Sequence, residues 1–324
     1  MRRLLAGLAA STFLFALTAC GSSDDGDTSD DGAGSPGGVT TVTVGLIPIV
    51  DVAPLYLGQE KGFYEKQGLK LKLTTAQGGA AIVPAVVSGQ YQFGFSNMTS
   101  LMIAQSNNVP VKAISNGIAS TGQDGKDFGA LTVKGDSALK SPKELAGKKV
   151  AVNTLKNINE TAVRESVRKA GGDPDQVQFV ELAFDQMPAA LDAGQIDAAM
   201  VVEPALATIK SQGGREIASS LVDVAPNLTV AMYFTSTQYG QENPEVVKKF
   251  QDATAESLAY ADAHPDEVRQ IVTTYTKIPP AVLEQVTLPK WPADANRASI
   301  EKLMQLGEQD GLFKTTPDLD KLLS

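Results

Sequence analysis

The sequence predicts an α/β protein of two lobes, each a mostly parallel sheet flanked by helices, with a cleft between the lobes. Short β-rich runs alternate with helical stretches from Thr41 onward, which is typical of parallel sheets. The alternation occurs twice along the chain. Two short sequences of the first half also have counterparts 108 and 105 residues further on, namely Val42-Thr43-Val44-Gly45 with Val150-Ala151-Val152-Asn153 and Ser88-Gly89-Gln90-Tyr91 with Ala193-Gly194-Gln195-Ile196.

Composition narrows the class of protein. The chain has 324 residues, of which 43% are hydrophobic and 20% charged, enough for a soluble globular protein of two domains. Its formal charge of −9 leaves no excess of Lys and Arg to neutralise phosphates, so no nucleic-acid partner is expected. One Cys and one His exclude a disulfide framework, a CxxC redox pair and a Cys/His zinc site, so no metal site is predicted.

Residues 1–20 have the features of a secretory signal. After a positive start, the apolar run of residues 4–19 is shorter than the roughly 20 residues that span a bilayer. Small residues precede Cys20, and this resembles the bacterial lipobox, in which the thiol is lipidated; an ordinary signal peptide with a chance cysteine is the alternative. Residues 21–40 are acidic and rich in Gly and Ser, which predicts a disordered linker.

The elements of the two halves follow from hydrophobic periodicity. In the first half, strands are predicted at 41–47, 69–74, 91–95 and 111–114, and helices at 53–66, 80–87 and 99–106. In the second half, strands are predicted at 149–152, 177–182 and 196–201, and helices at 158–170 and 188–193.

Two further strands, residues 130–133 and 230–235, are expected to carry the chain across and back. Three helices follow, one capped by Asn243, one by His264, and one over residues 297–309, and all are expected to complete the first lobe. Lobe I is therefore predicted as residues 41–128 and 229–324, and lobe II as residues 129–228.

Small polar residues that follow a predicted strand and begin the next helix are candidate ligand contacts. Helix starts carry unpaired N–H donors and partial positive charge, so starts that face each other across a cleft attract anions. Ordinary N-capping is the alternative for each segment. The candidates are Gly78, Gly79, Ser96, Asn97, Thr99, Asn153 and Thr154.

Two acids and a tyrosine complete the candidate site. Asp51 and Glu203 each come shortly after a strand that should end at the cleft, where a carboxylate accepts hydrogen bonds from an amine or a ring N–H. The alternative for Glu203 is an acid that favours the start of a helix. Tyr233 is a candidate wall residue, with burial in the core as its alternative.

No catalytic arrangement is recognisable. The chain has neither a GxSxG elbow nor a GxxxxGK[ST] loop, and no cofactor is predicted. The single imidazole, His264, precedes Pro265 at a helix start, which favours a capping role over a general base.

Several motifs together resemble the substrate-binding proteins of ABC importers, in the nitrate, sulfonate, taurine and thiamine-pyrimidine class. They are Ala53-Pro54-Leu55-Tyr56, Glu60-Lys61-Gly62-Phe63-Tyr64-Glu65-Lys66-Gln67-Gly68-Leu69, Ser88-Gly89-Gln90, Leu145-Ala146-Gly147-Lys148-Lys149-Val150-Ala151-Val152, Ala190-Leu191-Asp192-Ala193-Gly194-Gln195-Ile196-Asp197-Ala198-Ala199 and Glu203-Pro204. The resemblance implies a type II periplasmic-binding-protein fold that closes on a small solute by a hinge. Ligand contacts in that class come from the segments matched here by Asp51, Gly78-Gly79, Ser96-Asn97, Thr154 and Glu203.

The resemblance also implies the function and the partners. We expect a monomeric, non-enzymatic protein, anchored through Cys20 to the outer face of the bacterial cell membrane, that delivers a sulfonate, taurine or a related solute to an ABC permease and its ATPase. The alternative is binding or synthesis of a thiamine-precursor pyrimidine on the same fold. Relatives with that synthesis use a histidine and a cysteine-rich motif, and this chain has no cysteine after Cys20.

Overall fold

The structure, a computed structural model, describes residues 38–323. The predicted signal of residues 1–20 and the candidate anchor Cys20 lie outside the described residues, as does most of the linker of residues 21–40. The first strand begins at Thr40, the last residue of that predicted linker. No helix within the described range is long and apolar enough to cross a bilayer.

Ten strands in this range form two sheets of five. They are β1 (Thr40–Leu46), β2 (Leu69–Thr75), β3 (Phe93–Asn97), β4 (Val111–Ala119), β5 (Gly129–Val133), β6 (Lys149–Val152), β7 (Gln178–Glu181), β8 (Ala198–Val202), β9 (Arg215–Ala218) and β10 (Thr229–Ser236). The order is β2-β1-β3-β10-β4 in the first sheet and β7-β6-β8-β5-β9 in the second. The first three strands of each order are parallel, and the fourth is antiparallel to both neighbours. The predicted two-lobe α/β fold is confirmed.

Helices flank both sheets. They are α1 (Ala53–Glu60), α2 (Phe63–Lys66), α3 (Gly79–Val87), α4 (Met98–Ser106), α5 (Ile158–Lys169), α6 (Met187–Asp192), α7 (Ala205–Ser211), α8 (Ser220–Val224), α9 (Thr237–Glu242), α10 (Pro244–Ala263), α11 (Pro265–Val272), α12 (Pro280–Leu283), α13 (Arg297–Gln309) and α14 (Leu319–Leu323). Short 3-10 turns cover Val50–Val52, Pro142–Leu145, Pro174–Gln176 and Phe184–Gln186.

The duplication predicted from the sequence is visible in the backbone. Each sheet places its strands in the same spatial order, and each receives its antiparallel fourth strand from a segment that crosses between lobes. Gly89 after α3 and Gly194 after α6 both adopt a left-handed conformation, with φ of 78° and 66°. Because that conformation favours glycine at a helix end, the same residue recurs at both positions.

The long helix α10 covers the first sheet with an apolar stripe. It packs against α1, α2 and β4. Phe250 is fully buried and stacks on Phe93 of β3, with ring centroids 4.0 Å apart, and its ring meets Tyr233 of β10 at 5.9 Å. Buried aromatic side chains remove more apolar area from water than any others, so this contact anchors the helix.

Three local expectations differ from the structure. The predicted helix over residues 53–66 is interrupted after Glu60, because the backbone of Gly62 is in the left-handed conformation (φ 74°). A second helix, α2, begins at Phe63. Asn243 does not cap α10; its side-chain amide instead donates to the Tyr239 carbonyl at 3.2 Å. His264 makes no side-chain cap for α11, because its Nδ1 donates to the Tyr260 carbonyl at 2.7 Å.

Helix α13 connects the two lobes. It packs against α4 and β10 of the first lobe and against α5 and α8 of the second. Just after its end, the Asp310 side chain is 2% exposed and pairs with two guanidinium groups of α5, those of Arg164 and Arg168. The Arg164 Nε lies 3.1 Å from Asp310 Oδ1. A buried carboxylate thus holds two cations of the other lobe.

Candidate functional site

Asp51 lies in the 3-10 turn between β1 and α1, at the carboxyl edge of the first sheet. Its side chain is 3% exposed, and its Oδ1 has no hydrogen-bond partner among the described residues. Burial raises the pKa of the Asp51 carboxyl to about 8; its own backbone N–H opposes the shift and Asp127 adds to it. The indole N–H of Trp291 donates to the Asp51 carbonyl at 3.2 Å, which fixes the turn. The result is a buried carboxyl group with an unused acceptor.

Tyr233, on β10, is fully buried, and its hydroxyl has no partner in the described part of the chain. Its ring packs on Phe95 with centroids 5.2 Å apart. Burial raises the pKa of the Tyr233 hydroxyl well above its ordinary value, and charges on Tyr64 and Asp51 add to the shift. The ring therefore belongs to the core, and the hydroxyl is buried there without a partner among the described residues.

The starts of α3 and α4 lie against one another at the end of β3. A Cβ on Gly79 would lie 1.9 Å from Ser96 Oγ, so only glycine permits this approach. Asn97 caps α4, because its Oδ1 accepts from the Ser100 amide at 2.9 Å. The capping alternative therefore describes Asn97, whereas no side chain caps α3 at Gly78. Thr99 is fully buried, and its Oγ1 has no partner within residues 38–323.

On the second lobe, the turn between β6 and α5 forms a closed polar network. Asn157 donates from Nδ2 to Asn153 Oδ1 at 2.7 Å and to Thr154 Oγ1 at 2.8 Å. Asn159 Nδ2 donates to the same Asn153 oxygen at 2.8 Å. Asn157 Oδ1 in turn accepts from two backbone amides at the start of α5. The network fixes Asn153 and Thr154 at the cleft edge of the second sheet.

Gln77 joins the lobes across the cleft. Its Nε2 donates to the Asn153 carbonyl at 2.9 Å, and Asn153 Nδ2 donates back to the Gln77 carbonyl at 3.3 Å. A Cβ on the next residue, Gly78, would lie 2.9 Å from Thr154 Cγ2. The structure therefore brings Gly78 together with Asn153 and Thr154, and it brings Gly79 together with Ser96.

Every polar group of Glu203 has a partner in the protein, and the contacts with Val50 and Thr287 tie the second lobe to the first. Its Oε2 accepts from the Ala207 amide at 2.9 Å and its Oε1 from the Thr287 amide at 3.0 Å. Its carbonyl accepts from the Val50 amide at 3.1 Å, and its amide donates to the Phe128 carbonyl at 2.9 Å. The peptide bond to Pro204 is cis. Both carboxylate oxygens are thus already engaged by the protein.

Burial raises the pKa of the Glu203 carboxyl to about 7, although the amides of Thr287 and Ala207 and the charge of Lys210 oppose the shift. The helix-entry alternative holds in part, because one oxygen binds an amide at the start of α7.

The substitution Glu203→Gln is expected to raise the free energy of unfolding at pH 8 by about 3 kcal/mol, because the wild-type carboxyl is ionised there although burial raises its pKa from 4.5 to about 7, whereas the amide stays neutral. At pH 4 the wild-type carboxyl is protonated in the folded chain, and the two proteins should be nearly equal in stability. Urea denaturation at both pH values measures the difference. Glu284→Gln, the same change at an exposed position close to Thr287, is the control and should leave stability unchanged. A variant less stable than wild type at pH 8 would show that the amide contacts of the ionised carboxylate outweigh the cost of its burial.

A cavity of about 750 Å³ lies between the lobes, and we call it the cleft cavity. On the first lobe its lining comes from residues 47–49, 75–77 and 275–279. On the second lobe it comes from the β7–α6 connection and from residues at and after the cis bond. Within the described residues, none of the ten candidates lines this cavity, but four are within two positions of a lining residue: Asp51 of Ile49, Gly78 and Gly79 of Gln77, and Glu203 of Pro204.

Sequence reasoning missed the contribution of the chain after α11. Tyr275 lines the cleft cavity, and its ring stacks on Tyr56 with centroids 3.9 Å apart and planes 6° apart. Its hydroxyl donates to the Ile49 carbonyl at 3.1 Å. Thr287 and Trp291 reach the same edge. No periodic pattern marks these residues, because long-range packing places them there.

The comparisons with known proteins agree with this architecture. Residues 49–268 match the model of the NMT1/THI5 like family, so the chain belongs to that family. A putative binding protein of Brucella abortus (strain 2308) is 28% identical over 231 residues, which is 70% of this chain and 69% of that protein. The taurine-binding periplasmic protein of Escherichia coli (strain K12) is 28% identical over 204 residues, 63% of this chain and 61% of that protein.

A solved structure shares the fold. The ligand-binding component of an ABC-type import system from Staphylococcus aureus, solved with zinc bound, superposes with a TM-score of 0.76 at 17% identity. The match covers 88% of this chain and 96% of that one. The predicted periplasmic-binding-protein fold is therefore confirmed. Within residues 38–323, no group of three or more His, Cys, Asp or Glu side chains is placed to hold a metal ion.

Proposed function

We propose that this protein is the extracytoplasmic solute-binding component of an ABC importer and delivers a small organic solute, a sulfonate, taurine or a related compound, to a permease and its ATPase. The observation that carries the proposal is the cavity between two lobes whose sheets both point their carboxyl ends at it, because open α/β sheets bind ligands there. Lobe I comprises residues 41–128 and 229–324, and lobe II residues 129–228. Family membership and binding-protein relatives support the role.

The chemistry of the buried polar atoms supports a solute with both a cationic and an anionic group. Asp51 Oδ1 is an acceptor without a partner, and ionisation of that carboxyl is favoured by a cation beside it. The start of α3 has no side-chain cap; the Ala81 amide donates to the Gly78 carbonyl, and we propose that the Gly79 and Ala80 amides take the anion. The contacts we propose are those of the sequence-derived set: Asp51, Gly78, Gly79, Ser96, Asn97, Thr99, Asn153, Thr154, Glu203 and Tyr233.

An aminopyrimidine is the second candidate solute. It is favoured by the Tyr56–Tyr275 stack, which presents an aromatic wall to the cavity, together with the buried Asp51 carboxyl. We propose binding of such a ring without chemical change.

Localisation and assembly complete the proposal. We propose that the chain is monomeric and anchored through a lipid on Cys20 to the outer face of the cell membrane, so that the lobes are held near the permease. Labelling with a radioactive fatty acid, with Cys20→Ser as the control, tests the anchor.

Thermal denaturation and small-angle X-ray scattering of the full chain test the function with taurine, ethanesulfonate, nitrate and an aminopyrimidine. A ligand at 100 times its dissociation constant is expected to stabilise the folded state by about 2.7 kcal/mol and to reduce the radius of gyration as the lobes close. Absence of both effects with every solute contradicts the proposal. A solute recovered with altered mass contradicts the non-enzymatic role.

A further inference from the structure

A second cavity, of about 680 Å³, lies at the edge of the first sheet opposite the cleft, and we call it the β4 cavity. Strand β4 runs in the same direction as β1, because it is antiparallel to β10, as β3 is, and β3 is parallel to β1. The β4 cavity lies at the start of β4, whereas the cleft cavity lies at the carboxyl ends of β1 and β2. The two cavities share no lining residue, so a molecule in one leaves the other free.

Hydrogen bonds within the protein fix both walls of the β4 cavity. On one wall, the Gln105 side chain of α4 binds the backbone of Asp318 twice. Its Nε2 donates to the Asp318 carbonyl at 2.8 Å, and its Oε1 accepts from the Asp318 amide at 2.7 Å. On the other wall, the Thr237 amide donates to the Pro110 carbonyl at 2.9 Å. The walls are therefore in place before a ligand enters, which lowers the conformational cost of binding.

Four polar side chains that line the β4 cavity form neither a hydrogen bond nor an ion pair with any residue in the range 38–323. They come from the α4–β4 connection, from β4 and from α9, and they are Asn108, Lys112, Thr237 and Gln241. A side-chain amide offers both donors and an acceptor, and a hydroxyl does the same. Three of the four side chains therefore match the hydroxyl groups of a ligand.

The charge of the lining favours an anion. Lys112 is half-buried and has no acidic partner in the described part of the chain. The other two charged residues of the lining pair with each other, since Lys321 Nζ lies 2.9 Å from Asp318 Oδ2. The lining thus has one base more than it has acids. A carboxylate beside Lys112 would accept a charge-assisted hydrogen bond.

The rest of the lining includes a small aliphatic surface, formed by Val109, Pro110 and Val111. Among residues 38–323, no aromatic side chain lines the β4 cavity, so a flat aromatic ligand would find no ring to stack on. The aliphatic surface can instead pack on the C–H groups of a saturated ring. At about 30 Å³ per water molecule, about 680 Å³ corresponds to roughly 23 waters, which is ample for such a ring.

We propose that the β4 cavity is a second binding site of this protein, and that it binds a sugar acid, a saturated molecule with several hydroxyl groups and one carboxylate. Lys112 binds the carboxylate, and the side chains of Asn108, Thr237 and Gln241 bind the hydroxyl groups. The site is separate from the cleft, so this proposal does not rest on the proposed function.

Ligand-observed NMR titration of the full chain with D-glucuronate, D-glucose and acetate tests the proposal. Glucuronate is expected to bind about tenfold more tightly than glucose, which lacks the carboxylate, and than acetate, which lacks the hydroxyl groups. Lys112→Gln should weaken the binding of glucuronate by about tenfold. Lys72→Gln, the same change at an exposed lysine of β2 that does not line the cavity, is the control and should bind as wild type does.

Two further variants locate the bound sugar acid. Asn108→Gly removes a side-chain amide at a backbone φ of 60°, a conformation that glycine adopts readily, so the variant should fold. It is expected to bind glucuronate about fivefold more weakly through the loss of one hydrogen bond. Ala189→Trp places an indole in the cleft cavity from an exposed position on α6 and should bind glucuronate as wild type does.

Preference for glucuronate over glucose and acetate, with weaker binding in Lys112→Gln and Asn108→Gly but not in Lys72→Gln or Ala189→Trp, supports the proposal. Binding that Ala189→Trp abolishes and Lys112→Gln leaves intact places the sugar acid in the cleft and overturns it. Absence of glucuronate binding overturns it as well, and so does equal affinity for glucuronate and glucose. None of these results bears on which solute the cleft takes.

Discussion

Replacing Asp51 by asparagine is expected to stabilise the protein at alkaline pH by about 6 kcal/mol and to leave it nearly unchanged below about pH 4. The carboxyl has a pKa of about 8 when folded and 3.8 in the reference state, so between these values the folded chain holds a proton that the unfolded chain releases. The free energy of unfolding of the wild type therefore falls by about 1.4 kcal/mol per pH unit as the pH rises from about 4 to about 8. Asparagine does not titrate, so the variant lacks this loss. Urea denaturation from pH 4 to pH 9 measures both curves.

Other buried acids do not obscure the result. Burial also raises the pKa values of Asp127 and Glu203, and these groups contribute a pH dependence to wild type and variant alike. The difference between the two curves therefore isolates Asp51. Parallel curves over the whole range would mean that the pKa of the Asp51 carboxyl is the same in the folded and the unfolded chain, which contradicts its burial without a partner.

The substitution Asp310→Asn is expected to lower the free energy of unfolding by about 3 kcal/mol, the lower end of what breaking a buried ion pair costs. The Asp310 side chain is 2% exposed, and the side chains of Arg164 and Arg168 are 16% and 19% exposed. Asparagine carries no charge, so each guanidinium group loses one carboxylate partner. The lower end applies because Asp175 and Glu165 still pair with these arginines. The midpoint of urea denaturation at pH 7 checks the value.

Asp266→Asn is the control for this prediction. Asp266 is fully exposed and lies 3.4 Å from Arg269 in an ion pair of the same type. Exposed pairs contribute little because solvent screens them, so the control should unfold at the wild-type midpoint. If Asp310→Asn also unfolds at that midpoint, the contact between α5 and the end of α13 does not stabilise the fold.

Local patterns in the sequence predicted the elements whose periodicity is strong. Helix α13 ends where the sequence predicted, and β6 does as well. Strand β4 was predicted to end at residue 114 but continues to Ala119, because β10 pairs along it. That partner lies more than 100 residues away, so no window of the sequence around β4 contains the information.

Some residues of the candidate site were likewise predictable from local sequence, and others were not. Asp51 and Glu203 were recognisable because acids after predicted strands must lie at the carboxyl edge of a parallel sheet. The partner of the Glu203 Oε1, the Thr287 amide, and the aromatic wall at Tyr275 come from the chain after α11, whose placement depends on tertiary packing. The assignment of the ten residues to ligand contact remains a prediction.

The fourth strand of the first sheet has a consequence for synthesis of the chain. Strand β4 pairs only with β10 among the described strands, and β10 ends at Ser236, after the whole second lobe. A chain emerging from the ribosome therefore carries an unpaired strand edge on its first sheet until residue 236 has appeared. The last strand of the second sheet, β9, ends at Ala218, which precedes β10 in the sequence. The lobe that begins first along the chain is therefore completed last.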